Sequence, residues 1–197
     1  MNTCDSALPA CVFLDRDGVI NEEVGISRSK DQLRLIPGTG EAIARLNTHG
    51  IPVVVITNQP VVARGWLSER GVDELHSYLR TLLERCGAKL DAIYFCPHHE
   101  NANDPVYRKV CQCRKPRPGL LLQAAADLAI DLSRCVMVGD RTVDLKAGED
   151  AGCAGILVET GFAGRDGKCE VTPRHIAANL SSAVDFLLSC PTFPKKP

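Results

Sequence analysis

Short, wholly apolar runs alternate along this chain with longer stretches of helical periodicity. Cys11-Val12-Phe13-Leu14 is apolar at every position and too short for a globular helix, so it reads as a buried strand. Ile51 to Thr57, Ala92 to Phe95, Cys135 to Gly139 and Gly155 to Glu159 read the same way, with β-branched residues favouring a sheet. Between them, Pro37-Gly38 opens a helix that reaches His49 and stops at Gly50. Ser68 is an N-cap for a helix to Cys86, where Val72, Leu75, Leu79, Leu82, Leu83 and Cys86 recur at three- and four-residue spacing. Leu121, Ala124, Ala125 and Leu128 mark a third helix, Asp144 to Asp150 a short fourth, and Ala183 to Leu188 a last one. Strands separated by helices predict an α/β fold: a doubly wound parallel sheet with helices on both faces.

Four stretches stand outside this alternation. Asn21 to Leu35 is polar and aperiodic, an ordered loop or flap. Cys96 to Pro118 is a polar excursion rich in cysteine and histidine. Phe162 to Ala178 and the last residues, Pro191 to Pro197, are weakly patterned, and Pro194-Lys195-Lys196-Pro197 reads as a frayed end. At 197 residues the chain suits one domain over 1–197, with the excursion as an insertion at about 96–118. No repeat of 20 to 50 residues is evident.

A formal net charge of -1 gives no reason to expect nucleic acid or membrane as a partner. The chain lacks a basic start and any long apolar run, so the expectation is a cytoplasmic protein, and a monomer. Ten cysteines without an export signal point to reduced thiols. Seven of them, Cys4, Cys11, Cys86, Cys135, Cys153, Cys169 and Cys190, are scattered and read as structural.

In a parallel sheet the carboxyl ends of the strands share one edge. That edge would gather Asp15 and Asp17, Thr57 and Asn58, and Asp140, with Lys115 joining from the excursion. Three carboxylates suit magnesium, while a hydroxyl, an amide and an ammonium suit phosphate oxygens. Taken singly, Thr57 could merely end a strand, Lys115 belong to a solvated loop with Arg114 and Arg117, and Asp140 be a turn acid. The excursion carries its own signal. Cys96, His98, Cys111 and Cys113 form two tight clusters with twelve residues between them, three thiolates and an imidazole suited to a closed, structural zinc site. His99 reads as a neighbour.

Asp15-Arg16-Asp17-Gly18-Val19, Thr57-Asn58-Gln59, Lys115 and Gly139-Asp140-Arg141 with Asp144 resemble the four ordered motifs of the haloacid dehalogenase (HAD) superfamily of phosphatases. Cys96-Pro97-His98-His99, Cys111 to Pro116 and Ala63-Arg64-Gly65 resemble one branch, the D-glycero-D-manno-heptose 1,7-bisphosphate 7-phosphatases. The resemblance covers roughly Val12 to Gly161 and implies a HAD-like fold with a small zinc-binding loop and no large cap domain.

It further implies that Asp15 is a nucleophile forming an aspartyl-phosphate and that Asp17 is the general acid and base. Magnesium would be held by the Asp15 carboxylate, the Asp17 carbonyl and Asp140. Thr57 and Lys115 would stabilise the transferring group, with Asp144 supporting metal or lysine from behind. A small phosphorylated sugar would meet Glu23, Val24, Gly25 and Ile26, then Asn58, Gln59 and Pro60, then Arg64, Arg114 and Arg141. One departure is visible: the family's usual Thr-Asn-Gln-Ser-Gly is here Thr57-Asn58-Gln59-Pro60-Val61. Pro60 removes a donor, and Val61 restricts a turn that glycine would leave free; Trp66 is expected to pack. Histidinol-phosphate phosphatase is the nearest alternative enzyme, and a receiver-like phosphoacceptor module the alternative outside enzymes.

Overall fold

The computed structural model describes residues 8–189. The elements run β1 (Cys11–Leu14), α1 (Thr39–Thr48), β2 (Val53–Asn58), α2 (Glu69–Glu84), β3 (Ala92–Cys96), α3 (Gly119–Leu128), β4 (Cys135–Gly139), α4 (Thr142–Ala151), β5 (Ala154–Val158), β6 (His175–Ala177) and α5 (Leu180–Ser189). The six strands form one sheet in the order β3-β2-β1-β4-β5-β6, every pairing parallel.

This order reverses direction between β1 and β4, and the chain's crossovers diverge there to opposite halves of the sheet. The divergence leaves a crevice outside the carboxyl ends of those two strands. Asp15 follows β1 and Asp140 follows β4, so both acids stand at the crevice. Asp15 extends the β1–β4 ladder by donating its N–H to Val138 O at 3.0 Å, which fixes its backbone.

Both faces of the sheet are covered, which explains why its central strands lack polar alternation. Val12, Leu14, Val53, Val55, Val136 and Val138 face a core built with Ile43 and Leu46 of α1, Leu79 and Leu83 of α2, and Val184 and Leu187 of α5. Cys11, Phe13, Val54, Ile56 and Met137 face the opposite way, onto Leu120, Leu121 and Ala124 of α3 and Ala147 of α4. Ser68 caps α2 as expected, its Oγ accepting from Gly71 N at 3.1 Å. No helix of the described residues is long and apolar enough to cross a membrane.

Several boundaries differ from the sequence reading. The 162–178 stretch contains β6, a three-residue edge strand whose central Ile176 is 53% exposed, too short and too open to show alternation. Helix α4 starts at Thr142 because the Asp144 carboxylate accepts from Arg141 N at 3.1 Å and caps the first turn. Helix α5 starts at Leu180. The flap over 21–35 is ordered, with a single 3-10 turn at Lys30–Gln32 and an antiparallel bridge between Asn21 and Leu35. The described cysteines are free thiols; Cys4, Cys190 and the 191–197 end lie outside the described residues.

Candidate active site

Lys115 is the centre of the site. It is 3% exposed, and its Nζ donates to Ile56 O at 2.7 Å while lying 2.9 Å from Asp15 Oδ1 and 2.7 Å from Asp144 Oδ1. Burial alone would strip its proton, but the Asp144 and Asp15 carboxylates outweigh burial and raise its pKa above the ordinary value. A lysine from the excursion is thereby fixed as an ammonium beside the first acid of β1. Asp144 supports that lysine from behind, as the motif resemblance implies.

Asp15, Asp140 and Asp144 bring carboxylate oxygens within 4.8 Å of one another. Asp144 is engaged by Lys115 and by the α4 cap, whereas Asp140 uses Oδ2 to accept from Phe162 N at 2.8 Å and leaves Oδ1 buried without a partner. Burial, then the charges of Asp15 and Asp144, pushes the Asp140 carboxyl up to about 8. Three acids against one ammonium, with an unpaired oxygen at their centre, are a donor set that fits a hard divalent cation. Gly18 makes this packing possible. Its φ is +82°, and a side chain there would run into the Asp140 carboxylate.

Asp17 is fixed by different partners. Arg16 donates to it twice through Nη2, at 3.0 Å to Oδ1 and 2.8 Å to Oδ2; Asn21 Nδ2 reaches Oδ1 at 2.8 Å and Gln59 Nε2 reaches Oδ2 at 3.1 Å. Burial would raise the Asp17 carboxyl, but the Arg16 charge and these bonds prevail and hold it below the usual carboxylate range. Gln59 also donates to Thr57 Oγ1 at 3.0 Å, so one buried amide links Asp17 to Thr57.

Asp15, Asp17, Thr57, Gln59, Lys115 and Asp144 open onto a cavity of about 610 Å³, while Asp140, Arg16 and Asn21 are buried outside its lining. Asp15, Asp17, Thr57, Asn58, Gln59, Pro60 and Lys115 line its floor and near wall; Glu23, Gly25, Ile26, Arg64, Arg114 and Arg141 also line it. Val24 is outside that lining and 44% exposed. Glu23 and Arg141 pair with each other at 2.8 Å, and Arg141 stacks on Phe162, 3.7 Å from the ring centroid. Asn58 spends its amide on the Lys115 backbone. Trp66 departs from the expected packing role: it is 39% exposed and sits under Arg28, 3.4 Å from the ring centroid, with Arg64 at 5.2 Å.

Val61 also departs from expectation. It is fully buried with Val62 and Val72, and among the described residues only Ala129 and Ala163 are non-glycine residues with positive φ, so this turn does not need glycine.

Sequence reasoning gave no site role to Arg16, His76, Lys109, Arg117 or Lys168. The last three add positive charge to the cavity wall. Arg16 lies inside the quoted motif, and its flanking acids were the only signal that it needed a partner.

The four excursion ligands converge as their spacing predicts. Cys113 Sγ lies 3.2 Å from Cys96 Sγ and 3.1 Å from Cys111 Sγ, Cys96 Sγ lies 3.5 Å from Cys111 Sγ, and His98 Nδ1 is 3.3 Å from Cys113 Sγ. Thiols that close without disulfides form a slightly contracted tetrahedron, since zinc–sulfur bonds of about 2.3 Å put sulfurs roughly 3.8 Å apart. The set fits zinc, with His98 offering Nδ1.

Comparison with known proteins agrees with this geometry. A family model described as HAD-hydrolase-like matches residues 112–183. The D-glycero-D-manno-heptose-1,7-bisphosphate 7-phosphatase of Thermosynechococcus vestitus is 44% identical over 184 residues, covering 89% of this chain and 94% of that protein. The D-glycero-beta-D-manno-heptose-1,7-bisphosphate 7-phosphatase of Photorhabdus laumondii is 40% identical, covering 88% and 89%. Among solved structures, the D,D-heptose 1,7-bisphosphate phosphatase of B. bronchiseptica, complexed with magnesium and phosphate, superposes with a TM-score of 0.79 at 34% identity, covering 90% of this chain and 97% of that one. With relatives at 40–44% identity along nearly the whole chain and a matching fold, the chain belongs to the D-glycero-D-manno-heptose-1,7-bisphosphate 7-phosphatase family of HAD-like hydrolases.

Proposed function

We propose that this protein is a magnesium-dependent phosphatase that removes the 7-phosphate of D-glycero-D-manno-heptose 1,7-bisphosphate through an aspartyl-phosphate on Asp15. The observation that carries this reading is the position of Lys115, fixed as an ammonium between Asp15 and Asp144 while Asp140 Oδ1 stays unpaired beside them. A carboxylate cannot approach a phosphate dianion without compensating charge. Here Lys115 supplies part of it, and Asp15, Asp140 and the Asp17 carbonyl would hold magnesium. Bound there, magnesium supplies the remaining positive charge for the phosphoryl oxygens.

The residues then divide the work. An Asp15 oxygen attacks phosphorus in line with the sugar oxygen; the P–O bond to the sugar breaks as the bond to Asp15 forms, and Asp17, which takes up a proton from solvent once the substrate phosphate brings negative charge beside it, delivers that proton to the departing alkoxide. Asp17, now ionised, takes a proton from water, which attacks the acyl phosphate and releases inorganic phosphate and free Asp15. Thr57 Oγ1 and Lys115 Nζ hold the transferring group, and the Lys115 ion pair aims Asp15. Arg64, Arg114 and Arg141 give the cavity wall the charge to hold a second phosphate, with Arg114 anchored by donating to His98 O at 3.1 Å. Zinc on Cys96, His98, Cys111 and Cys113 would be structural, because four protein ligands leave no open position.

The test is phosphate release from both anomers of the heptose bisphosphate, beside histidinol phosphate, with and without magnesium. Magnesium-dependent loss of the 7-phosphate alone is expected, located by phosphorus NMR of the product. Preference for histidinol phosphate would move the chain to another substrate while keeping the site chemistry, and hydrolysis by a folded Asp15→Asn variant would refute the nucleophile.

A further inference from the structure

Arg16 is the largest fully buried side chain of the described residues, an unusual place for a guanidinium. Its charge is matched on one side by the bidentate Asp17 carboxylate. On the other side Nη1 lies 3.3 Å from His76 Nε2 on α2. A guanidinium only donates, so Nε2 is the acceptor and His76 is the neutral tautomer with its proton on Nδ1. His76 is 5% exposed and its ring packs edge-on to Phe95 with centroids 5.5 Å apart. No step of the proposed reaction uses either residue, yet the pair is built into the core directly behind the acid and base.

We infer that Arg16 and His76 are a positioning pair: His76 sets the guanidinium plane of Arg16, and Arg16 sets where the Asp17 carboxylate points. Arg16 is fully buried, so bulk water does not reach it in the folded protein. Loss of the imidazole leaves Nη1 buried without a partner, and the fork can satisfy it only by rotating away from Asp17. Asn21 and Gln59 hold one Asp17 oxygen each and cannot by themselves fix the carboxylate plane. Displacing Asp17 weakens protonation of the leaving group and leaves Asp15, Lys115 and the metal acids in place. This inference rests on the proposed role of Asp17, and leaving-group dependence separates the two.

The experiment compares kcat/KM for the heptose bisphosphate, whose alkoxide must be protonated, with kcat/KM for 4-nitrophenyl phosphate, whose phenolate departs unaided. This parameter stops at leaving-group departure, so the later water step does not blur it. Proton delivery by a positioned group is worth about 10²–10⁴-fold. Asp17→Asn is therefore expected to depress the sugar substrate far more than the aryl one; an equal loss on both refutes the role of Asp17, and the pair with it. His76→Leu is expected to lower the sugar-to-aryl ratio about tenfold, a fraction of the same effect. His76→Gln, whose amide oxygen can accept from Arg16, is expected to restore it. Arg16→Lys, which keeps the charge but loses the fork, should reproduce the leucine result and serves if His76→Leu does not fold. Parallel loss on both substrates, or an unchanged ratio, in these variants while Asp17→Asn shows the split overturns the positioning pair alone.

Discussion

Asn58 and Lys115 clasp each other across 57 residues of sequence: Lys115 N donates to Asn58 Oδ1 at 3.1 Å, and Asn58 Nδ2 donates to Lys115 O at 3.2 Å. The end of β2 thereby sets the backbone height of the lysine beside Asp15, the proposed nucleophile. Asn58→Ala leaves both Lys115 backbone groups without that amide, at a cost of about 1–3 kcal/mol where water cannot replace it. Thermal denaturation should show the loss. Phosphate-release kinetics should show kcat falling more than KM rises if Lys115 acts, as proposed, on the transferring group and not on the sugar.

The same lysine is two residues beyond a cysteine of the ligand cluster. Cys113 touches both Cys96 and Cys111, and Gln59 N donates to Cys96 O at 2.8 Å, so the cluster ties the excursion to the strand carrying Thr57. Stripping zinc with a strong chelator, or making Cys113→Ser, is expected to loosen 97–118 and to lower activity at saturating magnesium. Metal analysis should find about one zinc per chain before treatment, and limited proteolysis should cut within the excursion only afterwards. Full activity in a zinc-free sample would refute the structural role.

Much of this was legible because the sheet is buried on both faces. Runs such as Cys11 to Leu14 and Val53 to Ile56 then carry no polar residues, and their ends can be read from the first acid or hydroxyl that follows. The placement of Asp15, Thr57 and Asp140 at one sheet edge follows from that logic alone. The Arg16–His76 contact was not, because it joins a strand end to a helix 60 residues later and buries a guanidinium that ordinary patterning sends to the surface. His76 did leave a trace: four residues after Val72 it falls on the inner face of α2, a polar residue where the helix buries only apolar ones. Val61 misled in the other direction, since a family glycine need not mark a left-handed turn in a chain that packs valine there.

Crowding of acids also predicts how stability and function trade off at Asp140. Its carboxyl is raised to about 8 by burial and by Asp15 and Asp144, so in metal-free protein near neutrality its ionisation works against the fold. Magnesium should therefore raise the melting temperature, by linkage to binding. Asp140→Asn removes the charge and is expected to melt at or above the temperature of metal-free wild type, to lose the magnesium-dependent increase, and to be nearly inactive. Calorimetry with and without magnesium checks the first two and phosphate release the third, and a magnesium response as large as wild type would remove Asp140 from the metal site.

His76 makes a prediction of opposite sign at acid pH. Burial first, then the charge of Arg16, lowers its pKa from 6.5 to about 3. The unfolded chain thus binds a proton below pH 6.5 that the folded one refuses until about pH 3. Stability is fully present above the unfolded value and is lost as pH falls through this window, by at most about 1.4 kcal/mol per pH unit for one proton. His76→Gln cannot titrate, so its stability should decline less steeply. Urea denaturation of both proteins at pH 7, 6 and 5 gives the comparison, conditions far enough from pH 3 that the folded state stays populated. A shallower acid limb in the glutamine variant means that the imidazole is neutral and sealed against Arg16; superimposable limbs would mean that His76 already takes up a proton in the folded protein, which the guanidinium beside it forbids.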